Sequence, residues 1–401
     1  MRIGIFTDQF YPYISGVVTS IKMLYEGLTD LGHEVYIFSS LDEQKVFTCD
    51  ELKNFNFINF PGKPWPFKDL KDYRRTKHPK RYLKLIASYR LDVIHTHTEY
   101  NASKMARMAS KHLGIPLVYT LHTLYEDYLK YVSPFFDKHF HNIMFKVLAK
   151  KFIGSTSKAA MIQIVPTRKV LKLTPRYFMK GDIRVVPTGI ELERFYETNF
   201  TDEEKEELKR KLNIPTDKFV FGYIGRTSPE KDIKIIMHAF AKLEYKDNAV
   251  LLIVGGGPQF QELQEYSKVL RIDDKVYFTN FVENEVVPKY YHICDIFVNA
   301  SKSETQGLTY IESLASSLPL LVQKDECIED VIENYYNGIY FDGEEDLILK
   351  MEEIQKAPTT LNNIKSNTRK SCEKYSKEHY AANVEAIYQA AIDKYNQKKG
   401  R

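Results

Sequence analysis

At 401 residues and 46.9 kDa the chain is too long for one small module and fits two domains of roughly 150–200 residues each. With 43% hydrophobic and 27% charged residues it has the composition of a globular protein, which excludes a disordered or low-complexity chain. The net charge of +4 is unevenly spread: residues 1–190 hold 29 Lys+Arg against 16 Asp+Glu, a net +13, and the remainder is −9, so only the first part is drawn to anions. Cys49, Cys294, Cys327 and Cys372 lie far apart, with neither CxxC nor zinc-ligand spacing, as suits a reducing cytoplasm. No apolar run approaches the ~18 residues that span a bilayer, so the expectation is a cytoplasmic protein that does not cross the membrane.

Taken in chain order, a strand at 2–7 leads into a helix from Val17 whose Val17, Ile21, Leu24 and Leu28 recur at helical spacing. Strands follow near 34–38, 92–96 and 116–121. The segment Val186-Pro-Thr-Gly-Ile190 ends this pattern, and an acidic helical stretch at 202–211 opens the next. Strands at 219–224, 250–254, 276–279 and 296–298 then alternate with helical stretches at 232–243 and 258–270. The predicted class is α/β, with two Rossmann-like, doubly wound domains over 1–190 and 191–376. The tail 377–401 carries a last helical stretch, 377–394, placed back on the first domain. Ligands of such sheets lie beyond the carboxyl ends of the strands, so two domains facing each other across a cleft put the chemistry in the loops that follow strands.

The richest of these loops is Asn299-Ala-Ser-Lys-Ser-Glu304-Thr-Gln-Gly307-Leu308, running on to Glu312. Gly307 permits close backbone approach, and the helix starting there offers amides without internal partners and a partial positive charge, a seat for an anion. Glu304 and Glu312 flank that seat, and carboxylates accept from hydroxyls. A ligand with a diphosphate between polyhydroxylated ends, such as a nucleotide sugar, satisfies all three features. The second loop, Gly225-Arg226-Thr-Ser-Pro-Glu-Lys231, brings two cations to another strand-to-helix corner. At an effective dielectric near 20, a cation ~4 Å from a phosphate charge contributes on the order of 4 kcal/mol, more than a neutral hydrogen bond. Taken alone, an E-x7-E spacing is common on solvated helices and Arg226 could be a surface ion pair; it is their joint placement after strands that carries weight. His95 and His97 alternate along a strand end, which suggests metal ligation at first sight, but no cysteine or carboxylate completes a metal set, so the reading is structure or cleft lining, with no metal site. Gly255-Gly-Gly257 is either a tight turn or a close approach to a base or ribose.

With Glu304-x7-Glu312, Gly225-Arg226…Lys231, Val254-Gly-Gly-Gly-Pro258 and Val186-Pro-Thr-Gly-Ile190, nearly the whole chain resembles the retaining GT-B glycosyltransferases of family 4. Ser303-Glu-Thr-Gln-Gly-Leu308 and His122-Thr-Leu-Tyr-Glu-Asp-Tyr128 resemble most the diacylglycerol glucosyltransferases of bacterial glycolipid synthesis. The resemblance implies that Glu304 holds hydroxyls of the donor hexose, Glu312 those of the ribose, and Arg226 and Lys231 the diphosphate. It implies that Gly307 and Leu308 begin the donor-binding helix, that Gly16 in Ser15-Gly16-Val17 approaches the donor phosphates, and that His122 stands near the transferred sugar. It further implies a metal-independent, retaining transfer by front-face attack, with Glu304 positioning the donor rather than attacking it. The chain departs from the family's more usual Glu-Gly-Phe-Gly at Glu304-Thr305-Gln306-Gly307, and it has Ser15-Gly16 where two glycines are common. UDP-glucose is the donor expected from the subgroup, with UDP-galactose and UDP-N-acetylglucosamine as alternatives.

The basic first part suggests where a lipid acceptor is met. Residues 63–90 contain ten Lys/Arg, among them Arg74, Arg75, Lys80 and Arg81, beside Trp65 and several tyrosines. Residues 138–181 contain ten more, including Lys146, Lys150 and Lys151, with no acidic residue. Phe136, Phe140, Ile143, Met144, Val147 and Leu148 share one helical face, which for that helix alone is rather the pattern of a core stripe with a solvated basic back. The reading is peripheral attachment to the anionic inner face of the cell membrane, at about 1 kcal/mol per engaged cation. Nucleic acid is not expected, since no zinc-finger or RRM motif is present and the acidic second part opposes it. A soluble sugar or a polymer such as teichoic acid or glycogen is the alternative acceptor, and a non-catalytic polyanion-binding protein a remoter alternative. A nicotinamide oxidoreductase lacks its GxGxxG turn, since the first strand runs into Asp8-Gln-Phe-Tyr-Pro12.

Overall fold

The computed structural model describes residues 1–13, 15–64, 74–76, 78–122, 140–196 and 200–400, the side chains of 140–149 excepted. The chain divides into two units, Met1–Ile190 with Lys377–Arg401, and Glu191–Ser376. The first unit contains β1 (Arg2–Thr7), β2 (Glu34–Ser39) and β3 (Phe57–Asn59), a short antiparallel ribbon of β4 (Lys63–Pro64) and β5 (Arg74–Arg75), then β6 (Val93–Thr96), β7 (Leu117–Thr120), β8 (Ile162–Val165) and β9 (Ile183–Val185). Apart from the ribbon they form one parallel sheet in the order β3-β2-β1-β6-β7-β8-β9. The second unit holds β10 (Phe219–Ile224), β11 (Ala249–Val254), β12 (Val276–Asn280), β13 (Ile296–Asn299), β14 (Leu320–Gln323) and β15 (Gly338–Phe341), parallel in the order β12-β11-β10-β13-β14-β15.

Both orders reverse direction beside their first strand, between β1 and β6 and between β10 and β13. That reversal opens a crevice at the carboxyl ends of those strands. The strands are continuously apolar because helices cover both sheet faces: all six residues of β11, Ala-Val-Leu-Leu-Ile-Val, are buried. Helix Gly16–Asp30 starts on Ser15, whose hydroxyl accepts from the Val18 amide at 3.3 Å. It buries Val18, Ile21, Leu24 and Leu28, while Val17, expected in that stripe, is only half-buried. Helix Asp202–Lys211 carries a capping box between Thr201 and Glu204, with acidic residues in its first turn and basic ones in its last, both favourable to the helix dipole. Helix Lys377–Lys399 packs within the first unit on helix Gly16–Asp30. There the Tyr380 and Ser20 hydroxyls share a hydrogen bond of 2.9 Å, and Lys377 pairs with Asp30 at 2.9 Å. A Cβ on Gly27 would stand 2.6 Å from that of Ala381, so glycine is what lets these two helices approach.

Two predicted helices start later than their patterns suggested. The stretch expected over 232–243 is a helix over Ile233–Ala241, preceded by Asp232 in left-handed backbone at φ 53 and, before it, a short 3₁₀ turn, Pro229–Lys231. The stretch expected over 258–270 is a helix only over Phe260–Val269. The loops that precede these two helices interlock. The Thr227 amide donates to the Gly256 carbonyl at 3.0 Å, and the Gln259 amide to the Thr227 carbonyl at 3.0 Å. Gly255 sits at φ +117, where a Cβ would lie 2.2 Å from the Gly225 carbonyl oxygen. Gly255→Ala is therefore expected to destabilise the second unit by about 2 kcal/mol, lowering its melting midpoint by roughly 4–8 °C in a thermal scan. An unchanged midpoint would refute the interlock. Among the described residues no helix is long and apolar enough to cross a membrane.

Candidate active site

In the second unit the loops after β10 and β13 adjoin at the reversal of strand order, and hydrogen bonds tie them together. The Tyr223 hydroxyl donates to the Arg226 carbonyl at 2.9 Å, holding the turn in which Arg226 is exposed. The hydroxyls of Ser301 and Ser303 both donate to the Glu230 carbonyl, each at 3.3 Å. Across this seam the Lys231 ammonium donates to Glu304 Oε1 at 2.5 Å, the two side chains being 21% and 15% exposed. The expected diphosphate cation and the expected sugar-binding carboxylate are thus a direct ion pair, each fixing the other's position.

Gly307 lies in left-handed backbone at φ +71 and caps helix Leu308–Ala315 without any side-chain cap; the Tyr310 amide donates back to the Gly307 carbonyl at 3.0 Å, so the anion seat falls to the amides at the very start of the helix. A Cβ at Gly307 would meet the Tyr310 ring at 2.4 Å, so the glycine serves its own helix as well as the ligand approach that its sequence position suggested. Glu312, further along the same helix, accepts from the Tyr291 hydroxyl at Oε2, 2.7 Å away. Burial lifts its carboxyl above the ordinary range, against the Tyr291 hydrogen bond and the Arg194 charge that lower it.

The crevice of the first unit gathers the ends of β1, β6 and β7. Asp8, buried just past β1, accepts from the Thr98 hydroxyl at 2.7 Å and from the Ala102 amide at 2.9 Å, capping helix Asn101–Leu113 from a distant strand. Burial raises its pKa to about 6. Glu99 accepts from the Tyr119 hydroxyl at 2.8 Å. His122, two residues past β7, lies with Nε2 2.9 Å from His97 Nδ1, and His97 Nε2 lies 3.2 Å from His95 Nδ1. Their nitrogens thus bond one to the next instead of converging on a point. Among the described residues no group of three His, Cys, Asp or Glu is placed to hold a metal ion. Burial depresses all three imidazoles, His122 to about 4 and His95 and His97 well below the ordinary value. Gly16, the first residue of its helix, has open space where a Cβ would be.

The basic candidates divide. Arg74 is not a free cation: it is ion-paired with Asp42 and its side chain is 17% exposed, because β5 turns it inward. Arg75, Lys80, Arg81 and Lys151 are exposed and Lys150 is half-buried. Lys150, Lys151, Lys158 and Lys180 line a hollow of about 570 Å³ beside Phe178, which is 63% exposed. Trp65, the side chain of Lys146 and the stripe from Phe136 to Leu148 lie outside the described residues. Ser301, Ser303, Asp8 and Tyr223 are the organising residues that motif reading missed. A polar side chain at the end of each strand beside the reversal was the available signal.

Two parallel, doubly wound units, each with its polar loops at the strand reversal, have the GT-B glycosyltransferase architecture. The structure of Anabaena HepE, solved in complex with UDP, superposes with a TM-score of 0.78 at 16% identity, covering 97% of this chain and all of that one. Sucrose-phosphate synthase from Thermosynechococcus elongatus superposes at 0.76 with 18% identity, covering 98% and 99%. In sequence, residues 14–194 match the model of glycosyltransferase family 4, and residues 204–371 that of glycosyl transferases group 1. An alpha-monoglucosyldiacylglycerol synthase of Acholeplasma laidlawii is 38% identical over 99% of both chains. Its namesake from Streptococcus pneumoniae is 33% identical over all of this chain and 88% of that one. The chain belongs to the family 4 glycosyltransferases.

Proposed function

We propose that the protein transfers glucose from UDP-glucose to 1,2-diacylglycerol with retention of configuration, as a peripheral enzyme on the inner face of the cell membrane. The observation that carries this reading is the end-to-end similarity to two monoglucosyldiacylglycerol synthases, at 38% and 33% identity. The corner at 225–231 and 301–312 supports it chemically. Arg226 and Lys231 set two cations, and the start of helix Leu308–Ala315 a set of amides, where a departing diphosphate would develop charge. In this reading Glu304 receives hydroxyls of the hexose in an orientation fixed by Lys231, and Glu312 receives those of the ribose. Residues 191–376 hold the donor, and residues 1–190 meet acceptor and membrane; Gly16 and His122 keep in this reading the roles that the family resemblance implies for them. Positive charge comes from side chains and amides, so the mechanism invokes no metal.

Membrane contact falls to the exposed cations Arg75, Lys80, Arg81 and Lys151. Converting Arg75, Lys80 and Arg81 together to glutamine is expected to weaken binding to anionic vesicles about a hundredfold at low salt, at roughly 1 kcal/mol per cation, while UDP affinity is unchanged. Cosedimentation with vesicles of rising salt checks this, and unaltered binding would leave that face merely solvated. The function itself is tested by offering the purified protein labelled UDP-glucose, UDP-galactose and UDP-N-acetylglucosamine, with diacylglycerol vesicles and with soluble sugars. The expected product is a glucosylated lipid that forms only with vesicles. Transfer to soluble sugar or polymer without vesicles would overturn the acceptor, and vesicle binding with no transfer would favour a polyanion-binding protein.

A further inference from the structure

In the first unit, helix Phe140–Ala159 and the turn that leads into β9 enclose a cationic hollow with no acid in it. Lys150, Lys151 and Lys158 stand on the helix around Gly154, Ser155 and Ser157, whose small side chains leave a space of about 570 Å³, and Lys180 closes it from the turn. The two walls are tied together. The Lys180 amide donates to the Ser157 hydroxyl at 3.1 Å, and its carbonyl accepts from Gln163 Nε2 at 2.7 Å. Ser155 is in turn held by Arg107, whose Nη1 donates to its hydroxyl at 2.9 Å. Residues 138–181 contain no Asp or Glu, and the first acid after them, Asp182, is engaged by Arg184 at 3.0 Å and Lys394 at 3.4 Å. Among the described residues no carboxylate pairs with Arg107, Lys151, Lys158 or Lys180. Burial pulls the Arg107 guanidinium down from its ordinary value, and no neighbouring acid offsets it. Like charges held together repel, and an anion relieves them. At the rim, Phe178 follows the 3₁₀ turn Thr174–Tyr177 in left-handed backbone at φ 58, rare for a bulky residue, and leaves its ring 63% exposed.

We propose that this hollow binds the phosphate of one anionic glycerophospholipid, with Phe178 entering the lipid beside it. Charge argues for phosphate, whose terminal oxygens offer acceptors and negative charge to ammoniums that lack both. Phe178 argues for a lipid over a dissolved phosphate, because a ring beside ammoniums suits the boundary between headgroups and chains. The inference rests on the reading above that residues 1–190 meet the membrane, and it adds a seat for a single headgroup. That seat differs from the general attraction of Arg75, Lys80 and Arg81, none of which lines the hollow. It differs also from the crevice of the first unit: Lys158 and Lys180 stand just before β8 and β9, at the amino ends of strands, whereas the crevice lies at their carboxyl ends.

The test is cosedimentation of the full chain with vesicles of a neutral galactolipid, which has no phosphate. The vesicles are brought to one zeta potential with either phosphatidic acid or a carboxylate lipid, cholesteryl hemisuccinate. The wild type is expected to bind the phosphate vesicles about tenfold tighter, the effect of one further charge-assisted hydrogen bond. Equal binding to both would overturn the site. Lys158→Gln combined with Lys180→Gln is expected to weaken binding to phosphatidic acid vesicles about thirtyfold, the effect of two engaged cations, and to abolish the preference. Both side chains are exposed, so the melting midpoint should not move. A preference that survives in that variant would also overturn the site. Converting Arg75, Lys80 and Arg81 to glutamine should weaken binding to both vesicles alike, and a preference lost there instead would put the phosphate on that face. Phe178→Ser is expected to cost about tenfold on either vesicle, as an apolar ring is lost from the lipid. Unaltered vesicle binding in Phe178→Ser, with inorganic phosphate raising the melting midpoint of the wild type but not of the double lysine variant, would assign the hollow to dissolved phosphate and overturn the lipid. Glucosylation of diacylglycerol by an enzyme without any phosphate preference would defeat this site alone and leave the function above standing.

Discussion

Replacing Lys231 with alanine is expected to lower kcat about 10²- to 10³-fold, the scale seen when one preorganised donor to developing negative charge is removed. Two effects combine. The departing diphosphate loses a cation, and Glu304, only 15% exposed, loses the ammonium that neutralises and orients it at 2.5 Å. Glu304→Ala is expected to be comparably slow because the hexose loses its carboxylate while Lys231 swings free. The double variant should lose less than the product of the two single losses, since the part of each loss that comes from misorienting the other partner is counted once. Arg226, exposed on the neighbouring turn, should show a loss of similar size without that coupling. Steady-state kinetics with UDP-glucose, beside melting curves confirming the fold, checks all four variants. Both Lys231→Ala and Glu304→Ala within about threefold of wild type would end the assignment of this corner.

Acid is expected to unfold the first unit by protonating its imidazole chain. Burial holds His122 at about 4, and His95 and His97 well down, against an ordinary value near 6.5. Between pH about 4 and 6.5 the unfolded chain therefore binds protons that the folded one refuses, so stability is full above pH 6.5 and falls as pH drops through that window. Asp8 works oppositely: its folded pKa of about 6 makes the native state bind a proton the unfolded one releases, and its contribution fades as pH rises from about 4 to 6. With three groups against one, the imidazoles decide the sign. Denaturant titrations from pH 4.5 to 7 should show the wild-type slope exceeding that of His95→Gln by about one proton, or roughly 1.4 kcal/mol per pH unit, below about pH 5.5, the difference fading towards pH 7. Equal slopes would mean that His95 is protonated in the folded protein.

What could be read from the sequence was whatever repeats locally. Strand-to-helix alternation, the spacing of Glu304 and Glu312, and the glycines at the turns are all set within a dozen residues, and they pointed to the loops after β10 and β13. Contacts made by folding could not be read in the same way. Lys231 and Glu304 are 73 residues apart, and His95 and Tyr388 are 293 apart, so no spacing announces either pair. Arg74 and Arg75 are adjacent and alike as letters, yet the strand's alternation sends one to Asp42 and leaves the other exposed. His95 and His97 had the alternation of metal ligands. Only their placement beside His122 and the C-terminal helix reveals a chain of hydrogen bonds.

The most direct measurement of the central claim is a crystal structure of the protein with UDP. The account predicts the diphosphate between Arg226, Lys231 and the first amides of helix Leu308–Ala315, with the ribose at Glu312. A nucleotide bound elsewhere, with those groups untouched, would contradict it.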